Sequence, residues 1–551
     1  MADPFIQRDV AFPKLNAAQI ARLIPFGKER SAVAGEVLFD QGDSARGVFV
    51  LIEGSIEIVN PTCEGEVIVT VHNGGEFTGE VDVLSGRRSL VRGRARTDCK
   101  LIEITPDNLR RIVQTDSELS EIFLRAFLLR RTHLIAHTTG DVLLVGSSHS
   151  ADTLRLKGFL TRNGHPHAYI DVDRDGGVQE LLDHFAIRLE DVPVLICRGK
   201  KVLRNPSNAE AADCLGFNAP FVAGAIHDLI VVGAGPAGLA AAVYGASEGL
   251  DVLVLEGNAP GGQAGSSSRI ENYLGFPTGI SGQDLAGRAF IQAEKFGANV
   301  AIAQVATRLN CEGKPFTVEC ADGGSVQGRT ILVATGAAYR KLPLENLAGF
   351  EGNGVYYGAT AVEAQLCSGE EIVVVGGGNS AGQAAVFLSG RVKHVHMLVR
   401  AAGLADSMSR YLIRRIEESP TITLRTHTSI VALEGNGRLE RLTWHNAETG
   451  ITETREIRHL FSMTGASPNT AWLQGCLLLD DKLFVKTGTD LTPEEVAAAH
   501  WPLRRAPYLF EASWPGVFAV GDVRSASVKR VASAVGEGSV AVQLIHKVLA
   551  E

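Results

Sequence analysis

The stretch from His227 to Ala242, with Gly233-Ala234-Gly235-Pro236-Ala237-Gly238 at its centre, constrains this chain more than any other. An apolar run meets three glycines and passes into small residues, which reads as a strand, a tight turn and a helix packed against the strand. The first glycine permits the turn, the second lets backbone approach a bound group, and the third lets the helix lie close to the strand. The helix N-terminus then faces the turn, where its unpaired N–H groups favour a phosphate. A second apolar run, Asp251 to Leu255, ends in Glu256, placed to accept ribose hydroxyls. Strand, turn, helix and acid together predict a dinucleotide cradle built from Gly233, Gly235, Pro236, Ala237, Gly238 and Glu256.

A second copy follows from Glu371 to Ala381, with Gly376 and Gly378 in the first two places, Ala381 in the third, and Asn379 and Ser380 opening its helix. Two such folds in one chain suggest two dinucleotides facing each other, the arrangement that hydride transfer between a nicotinamide and a flavin requires.

At 551 residues the chain is too long for one core and should hold three or four domains. A net charge of −9 argues against nucleic acid or anionic membrane as an obligatory partner. The first residues show no basic segment followed by an apolar one, and the longest apolar runs are strand-sized, so a cytoplasmic protein is expected. The eight cysteines, at 63, 99, 197, 214, 311, 320, 367 and 476, include no pair with the two-residue gap of a redox dithiol or zinc knuckle. They read as buried small hydrophobes, and no metal site is expected.

From about Pro25, short alternating strands and glycine turns predict a small antiparallel barrel or roll, followed by helical periodicity from Asp107 to Ile135. Through Ala34-Gly35-Glu36, Leu51-Ile52-Glu53-Gly54, Gly79-Glu80 and Arg88-Ser89, residues 1–138 resemble the cyclic-nucleotide-binding domain family. The resemblance implies Glu80 as ribose ligand, Arg88 or its neighbour Arg87 as phosphate ligand, and Gly79 and Ser89 as close backbone. The bidentate fork of arginine suits a phosphate. A barrel used only for packing or dimerisation, or one taking another phosphate-bearing ligand, also fits these residues.

Residues 139–210 read strand, helix, strand, helix, strand, with the second helix at 178–185, and resemble the thioredoxin or glutaredoxin fold, including Val192-Pro193 where that family has a cis-proline. Where the family carries Cys-x-x-Cys at the start of its first helix, this chain has Ser150 and Thr153. Without sulfur there is no disulfide exchange. The module should be redox-inert, serving to dock or relay conformational change, with His149 beside it read as structural. An Ala-, Asn- and Gly-rich linker, 211–226, leads to the first cradle.

Further motifs are Pro260-Gly261-Gly262-Gln263, Asn272 within Ile270 to Phe276, Thr335-Gly336, Gly465 to Thr470, and Gly521-Asp522 before a helix opening at Lys529-Arg530-Val531. With these, residues 227–551 look like the low-molecular-weight thioredoxin reductase family. That likeness implies an FAD domain in two pieces, 227–345 and 461–551, around a nicotinamide domain at 346–460. It also implies that Gly261, Gly262, Gln263, Asn272 and Thr335 line FAD and that Asp522 bonds its ribityl chain. The helix opening would aim N–H groups at the flavin's pyrimidine edge. A homodimer is expected on the same ground.

Two departures matter. Thioredoxin reductases carry Cys-Ala-Thr-Cys in a tract that here reads Gly354 to Ala361, with Gly358 and Ala361 at the cysteine positions. NADPH-specific members place His-Arg-Arg after the second strand of the nicotinamide domain, whereas this chain offers Arg400, joined by Arg410. The fold class expected is therefore multidomain α/β: a β-roll, a thioredoxin-like domain and two Rossmann-like nucleotide-binding domains. The expected activity is NAD(P)H oxidation through FAD, with NADPH favoured and a cyclic nucleotide as effector. Electrons would pass to a ferredoxin-like protein, quinone, oxygen or external disulfide. A non-turnover sensor acting through protein contacts is the alternative.

Overall fold

The chain is described here from a computed structural model, which covers residues 8–43, 47–62, 65–79, 82–136, 142–148, 150–175, 187–188, 191–197, 201–218, 221, 224–405 and 408–551. Glu80, His149 and the helix expected at 178–185 lie outside the described residues.

The N-terminal barrel consists of two antiparallel sheets. One orders Lys28–Ala32, Cys99–Ile104 and Val48–Glu53; the other orders Val37–Phe39, Arg92–Ala95, Ser55–Thr62 and Gly65–Asn73. The helical stretch expected after it is two helices, Pro106–Thr115 and Ser117–Ala136. The first is capped by Thr105, whose hydroxyl accepts from Asn108 N.

Next comes a four-stranded sheet ordered Lys201–Arg204, Val194–Cys197, Val142–Gly146 and Ala168–Asp171, with the last two parallel and the others antiparallel. The helix Ala151–Arg162 covers it, and the Val192–Pro193 peptide is cis. A helix, Asn208–Leu215, runs across the start of the supposed linker. Ser207 and Glu210 close a capping box at its start, and Gly216, at φ +68°, ends it in the left-handed region.

The large lobe is a seven-stranded sheet whose parallel core orders Asn299–Ile302, Val252–Glu256, Ile226–Val232 and Ser325–Val333, with Val517–Ala519 beside the last. Helices Pro236–Ser247, Gly282–Phe296 and Val531–Ala550 pack on it. The chain leaves and re-enters this lobe through two strands that pair antiparallel, Ala337–Tyr339 and Ala466–Pro468. Between them lies an inserted lobe with an all-parallel five-stranded sheet, ordered Val355–Tyr356, Leu460–Ser462, Glu371–Val375, His394–Leu398 and Ile422–Arg425. Runs such as Ile372 to Val375 are wholly buried, as parallel strands covered on both faces must be.

The four-stranded module is not tethered loosely. Leu156, Phe159, Ala211 and Leu215 share one continuous hydrophobic core with Leu229, Val231, Phe290 and Ile302 of the large lobe. The cysteine expectation needs correction. Cys311 and Cys476, 165 residues apart, form a disulfide inside the large lobe, while Cys99, Cys197, Cys214, Cys320 and Cys367 are buried thiols. Among the described residues, no helix is long and apolar enough to cross a membrane.

Candidate functional site

Both glycine turns open on one cleft of about 950 Å³ between the large and inserted lobes. At the first turn Gly233, Gly235, Pro236, Ala237 and Glu256 line the cleft. Gly238 stands behind them, so close to the strand that a Cβ there would run into the Gly233 carbonyl oxygen. Gly235 is the N-cap of the helix Pro236–Ser247 and offers no side chain to its free N–H groups, which leaves them for an anion. Gly262 packs against Gly235, a Cβ on it lying 3.1 Å from the Gly235 Cα. The two glycines form a cradle that side chains would fill. Gly261 takes no part in the lining; its N–H donates to Ala234 O at 2.7 Å and fixes the loop behind.

Glu256 accepts from the backbone N–H groups of Ala234 and Asn258, both at 2.8 Å, and of Ala259 at 3.2 Å. Burial nonetheless holds its carboxyl above the usual carboxylate range. Gln263 donates its amide to Ala337 O, and Thr335 and Asn469 exchange side-chain-to-backbone bonds of 2.8 Å. Asn272 and Gly336 also line the cleft. At its far end are Gly521, Asp522, Lys529, Arg530 and Val531. The helix Val531–Ala550 begins there with no side-chain cap on its N–H groups, and burial raises the Asp522 carboxyl.

From the inserted lobe, Asn379, Ser380, Gln383 and Tyr411 reach the same cleft. Gly376 and Gly378 shape the turn without lining it: Gly376 has φ +142° and stands against the Met463 carbonyl oxygen. Arg400 is exposed, two residues past His394–Leu398, and outside the cleft. Arg415 crosses between the lobes to Glu271 at 2.7 Å.

Gly358 abuts cleft-lining Ser266, a Cβ on it lying 3.7 Å from that of Ser266, while Ala361 opens the helix Ala361–Leu366. Among the described residues, none that lines the cleft is a cysteine. In the four-stranded module Ser150 caps the helix Ala151–Arg162, accepting from Thr153 N, and Thr153 is wholly buried. A loop of the inserted lobe comes close to this corner, with a Cβ on Gly352 3.2 Å from that of Ala151, although Ala151 stays exposed.

The barrel departs from expectation. It holds a partly open, largely apolar pocket, lined by Gly79 and Ser89 as anticipated. Arg88 does not enter it: the side chain is exposed and lies over Gly216. Arg87 does not enter it either, being buried between the rings of Phe217 and Phe290, 4.8 and 5.0 Å from their centroids. Aromatic faces supplied by the next two regions draw this guanidinium outward. The cation at the cavity is Arg130, which donates to Ala11 O and Gly79 O and stacks on Phe12 and Phe77.

Sequence reasoning missed Arg162, which enters the cleft from the four-stranded module; no local pattern marks it. It also missed the aromatic wall of Tyr339, Tyr357 and Tyr411.

Comparison with known proteins agrees with this geometry. NADPH-dependent thioredoxin reductase 3 of Arabidopsis thaliana is 32% identical over 362 residues, which are 62% of this chain and 64% of the plant protein. The chain thus spans just under two thirds of that relative. Thioredoxin reductase of Treponema pallidum is 32% identical over 315 residues, 57% of this chain and 94% of the relative. Among solved structures, Lactococcus lactis thioredoxin reductase in its FR conformation superposes with a TM-score of 0.52 at 26% identity, over 59% of this chain and 99% of that one. The T. acidophilum thioredoxin reductase gives 0.52 at 25%, over the same shares. The cyclic nucleotide-binding domain pattern matches residues 29–116, and the pyridine nucleotide-disulphide oxidoreductase pattern matches residues 227–538. With more than half of its length in that second match, the chain belongs to the pyridine nucleotide-disulphide oxidoreductase family and carries a cyclic nucleotide-binding domain ahead of it.

Proposed function

We propose that the chain is an FAD-dependent NAD(P)H oxidoreductase that passes electrons to an acceptor other than a dithiol of its own. The observation that carries this reading is the single cleft of about 950 Å³ on which both glycine turns open. FAD, when bound, supplies the two-electron relay between nicotinamide and acceptor. Gly233, Gly235, Gly262 and the N-terminus of Pro236–Ser247 would hold its diphosphate, Glu256 its ribose, and Asp522 its ribityl chain. The uncapped start of Val531–Ala550 would face the pyrimidine edge and stabilise negative charge there. Asn379, Ser380 and Gln383 would orient the nicotinamide nucleotide, with Arg400 on the 2'-phosphate of NADPH.

The acceptor lies outside this polypeptide on this reading. Gly358 leaves room beside Ser266, and Cys367, the next cysteine along the chain, is wholly buried with its thiol pushed up to about 11 by burial. That thiol stays protonated at neutral pH and is a poor nucleophile. A ferredoxin-like protein, a quinone, oxygen or an external disulfide fits such a flavin. The thioredoxin-like module would act as a docking piece, since Leu156, Phe159, Ala211 and Leu215 share a core with the large lobe.

Regulation through the barrel is part of the proposal. Its short helix Asp82–Ser85 packs on Gly282–Phe296 of the large lobe, so a ligand that moved the first would press on the second. Anaerobic mixing with NADPH and with NADH tests the whole reading. Bleaching of the flavin band, followed by acceptor-dependent turnover, is expected; cAMP or cGMP should change the rate. Protein that takes up FAD but is reduced by neither nucleotide would be a sensor without turnover.

A further inference from the structure

The family match begins at residue 227, yet one lining residue of the cleft, Arg162, comes from before it. Arg162 is the last residue of the helix Ala151–Arg162. Its Nη2 donates to Gly262 O at 3.0 Å, and Gly262 is the glycine packed on Gly235 and Pro236, where the first dinucleotide helix begins. The guanidinium therefore stands beside the N–H groups that would receive a phosphate.

Two observations show that this side chain is not merely a clamp between modules. Its Nε is buried with no hydrogen-bond partner, although a guanidinium carries five donors. Burial lowers its pKa, and the charges that oppose that shift are Glu256 and Glu363, of which Glu256 is already satisfied by three backbone N–H groups. A desolvated cation with an idle donor is costly unless an anion completes it.

We infer that Arg162 binds the FAD diphosphate, so that the four-stranded module completes the cofactor site of the lobe on which it is docked. The inference rests on the FAD reading above. A diphosphate presents oxygens to which the planar guanidinium can donate twice, while Nη2 keeps its bond to Gly262. The module thereby gains a role that needs no sulfur at Ser150 and Thr153: FAD fastens it to the large lobe, and it fastens FAD.

The test uses full-length protein stripped of cofactor and titrated with FAD by flavin fluorescence. Arg162→Gln should weaken FAD binding roughly 10- to 100-fold, the loss of a charge-assisted pair, and Arg162→Lys should recover part of it. Riboflavin, which has no diphosphate, should bind all three proteins alike. Gln283→Ala is the control, because the Gln283 amide donates to Thr161 O at 2.7 Å across the same junction. It should leave FAD affinity within about twofold of wild type. Unchanged FAD affinity in a folded Arg162→Gln protein would overturn the inference. So would an equal loss for riboflavin, or an equal loss in Gln283→Ala. Should Arg162→Gln fail to fold, Arg162→Lys against wild type carries the same comparison. Wild-type protein that takes up no FAD at all would remove the FAD reading itself, and the inference with it, whereas a wild type that binds FAD tightly isolates the question to Arg162.

Discussion

The large lobe and the N-terminal barrel were both recognised by short motifs, yet their motifs came to different ends. In the lobe, Gly233, Gly235, Glu256, Gly262, Thr335 and Asp522 converge on one cleft although nearly 300 residues separate the first from the last. In the barrel, Gly79 and Ser89 line the cavity while Arg88 lies over Gly216 and Arg87 between Phe217 and Phe290. A glycine motif dictates where backbone can go, and it does so locally. An arginine motif dictates only what a long side chain offers; its destination depends on surfaces encoded elsewhere.

The largest expected effect tests the first half of that contrast. Gly238→Val would force a branched side chain into the Gly233 carbonyl, costing roughly 3 kcal/mol or more; the purified protein should be colourless and melt earlier. Retention of the flavin band would break the comparison. Arg87→Ala should come next, at roughly 2–3 kcal/mol in chemical denaturation. It strips two aromatic faces of their cation and leaves buried Glu294 without the charge that most lowers its pKa.

Glu294 supplies a pH signature at the same junction. Its carboxyl is pushed up to about 8, chiefly by burial and also by Asp82, against the downward pull of Arg87, Arg110 and Arg131. Between the ordinary carboxylate value and about 8 the folded chain keeps a proton that the unfolded chain has released. Stability should therefore fall as pH rises from about 5 to 8, by roughly 1–3 kcal/mol. Glu294→Gln should flatten that slope in melts across the range, and an unaltered slope would assign it elsewhere. Arg88→Ala should do least, within about 0.5 kcal/mol of wild type, with cyclic-nucleotide affinity unchanged in calorimetry. A large loss of affinity there would return Arg88 to the phosphate and sharpen the question of how it turns inward.

Sequence patterning disclosed the sheets, the two turns and most of the cleft, because each depends on runs of a few residues with a fixed period. The helix Asn208–Leu215 was hidden by its Ala- and Asn-rich composition, although Ser207 and Glu210 stood at capping-box spacing and Gly216 followed the end. The disulfide between Cys311 and Cys476 left no trace, since its halves stand 165 residues apart and meet only in the folded lobe. Arg162 and the outward turn of Arg87 were hidden for a related reason. Both are set by the shared core of Leu156, Phe159 and Leu215 with Leu229 and Phe290, and a contact between separately coded surfaces has no periodicity to read.

The Cys311–Cys476 bond lies outside the two strands, Ala337–Tyr339 and Ala466–Pro468, that admit the inserted lobe. A protease that nicks the inserted lobe once would leave two fragments that still migrate as a single band on a denaturing gel. Only a reductant would part them.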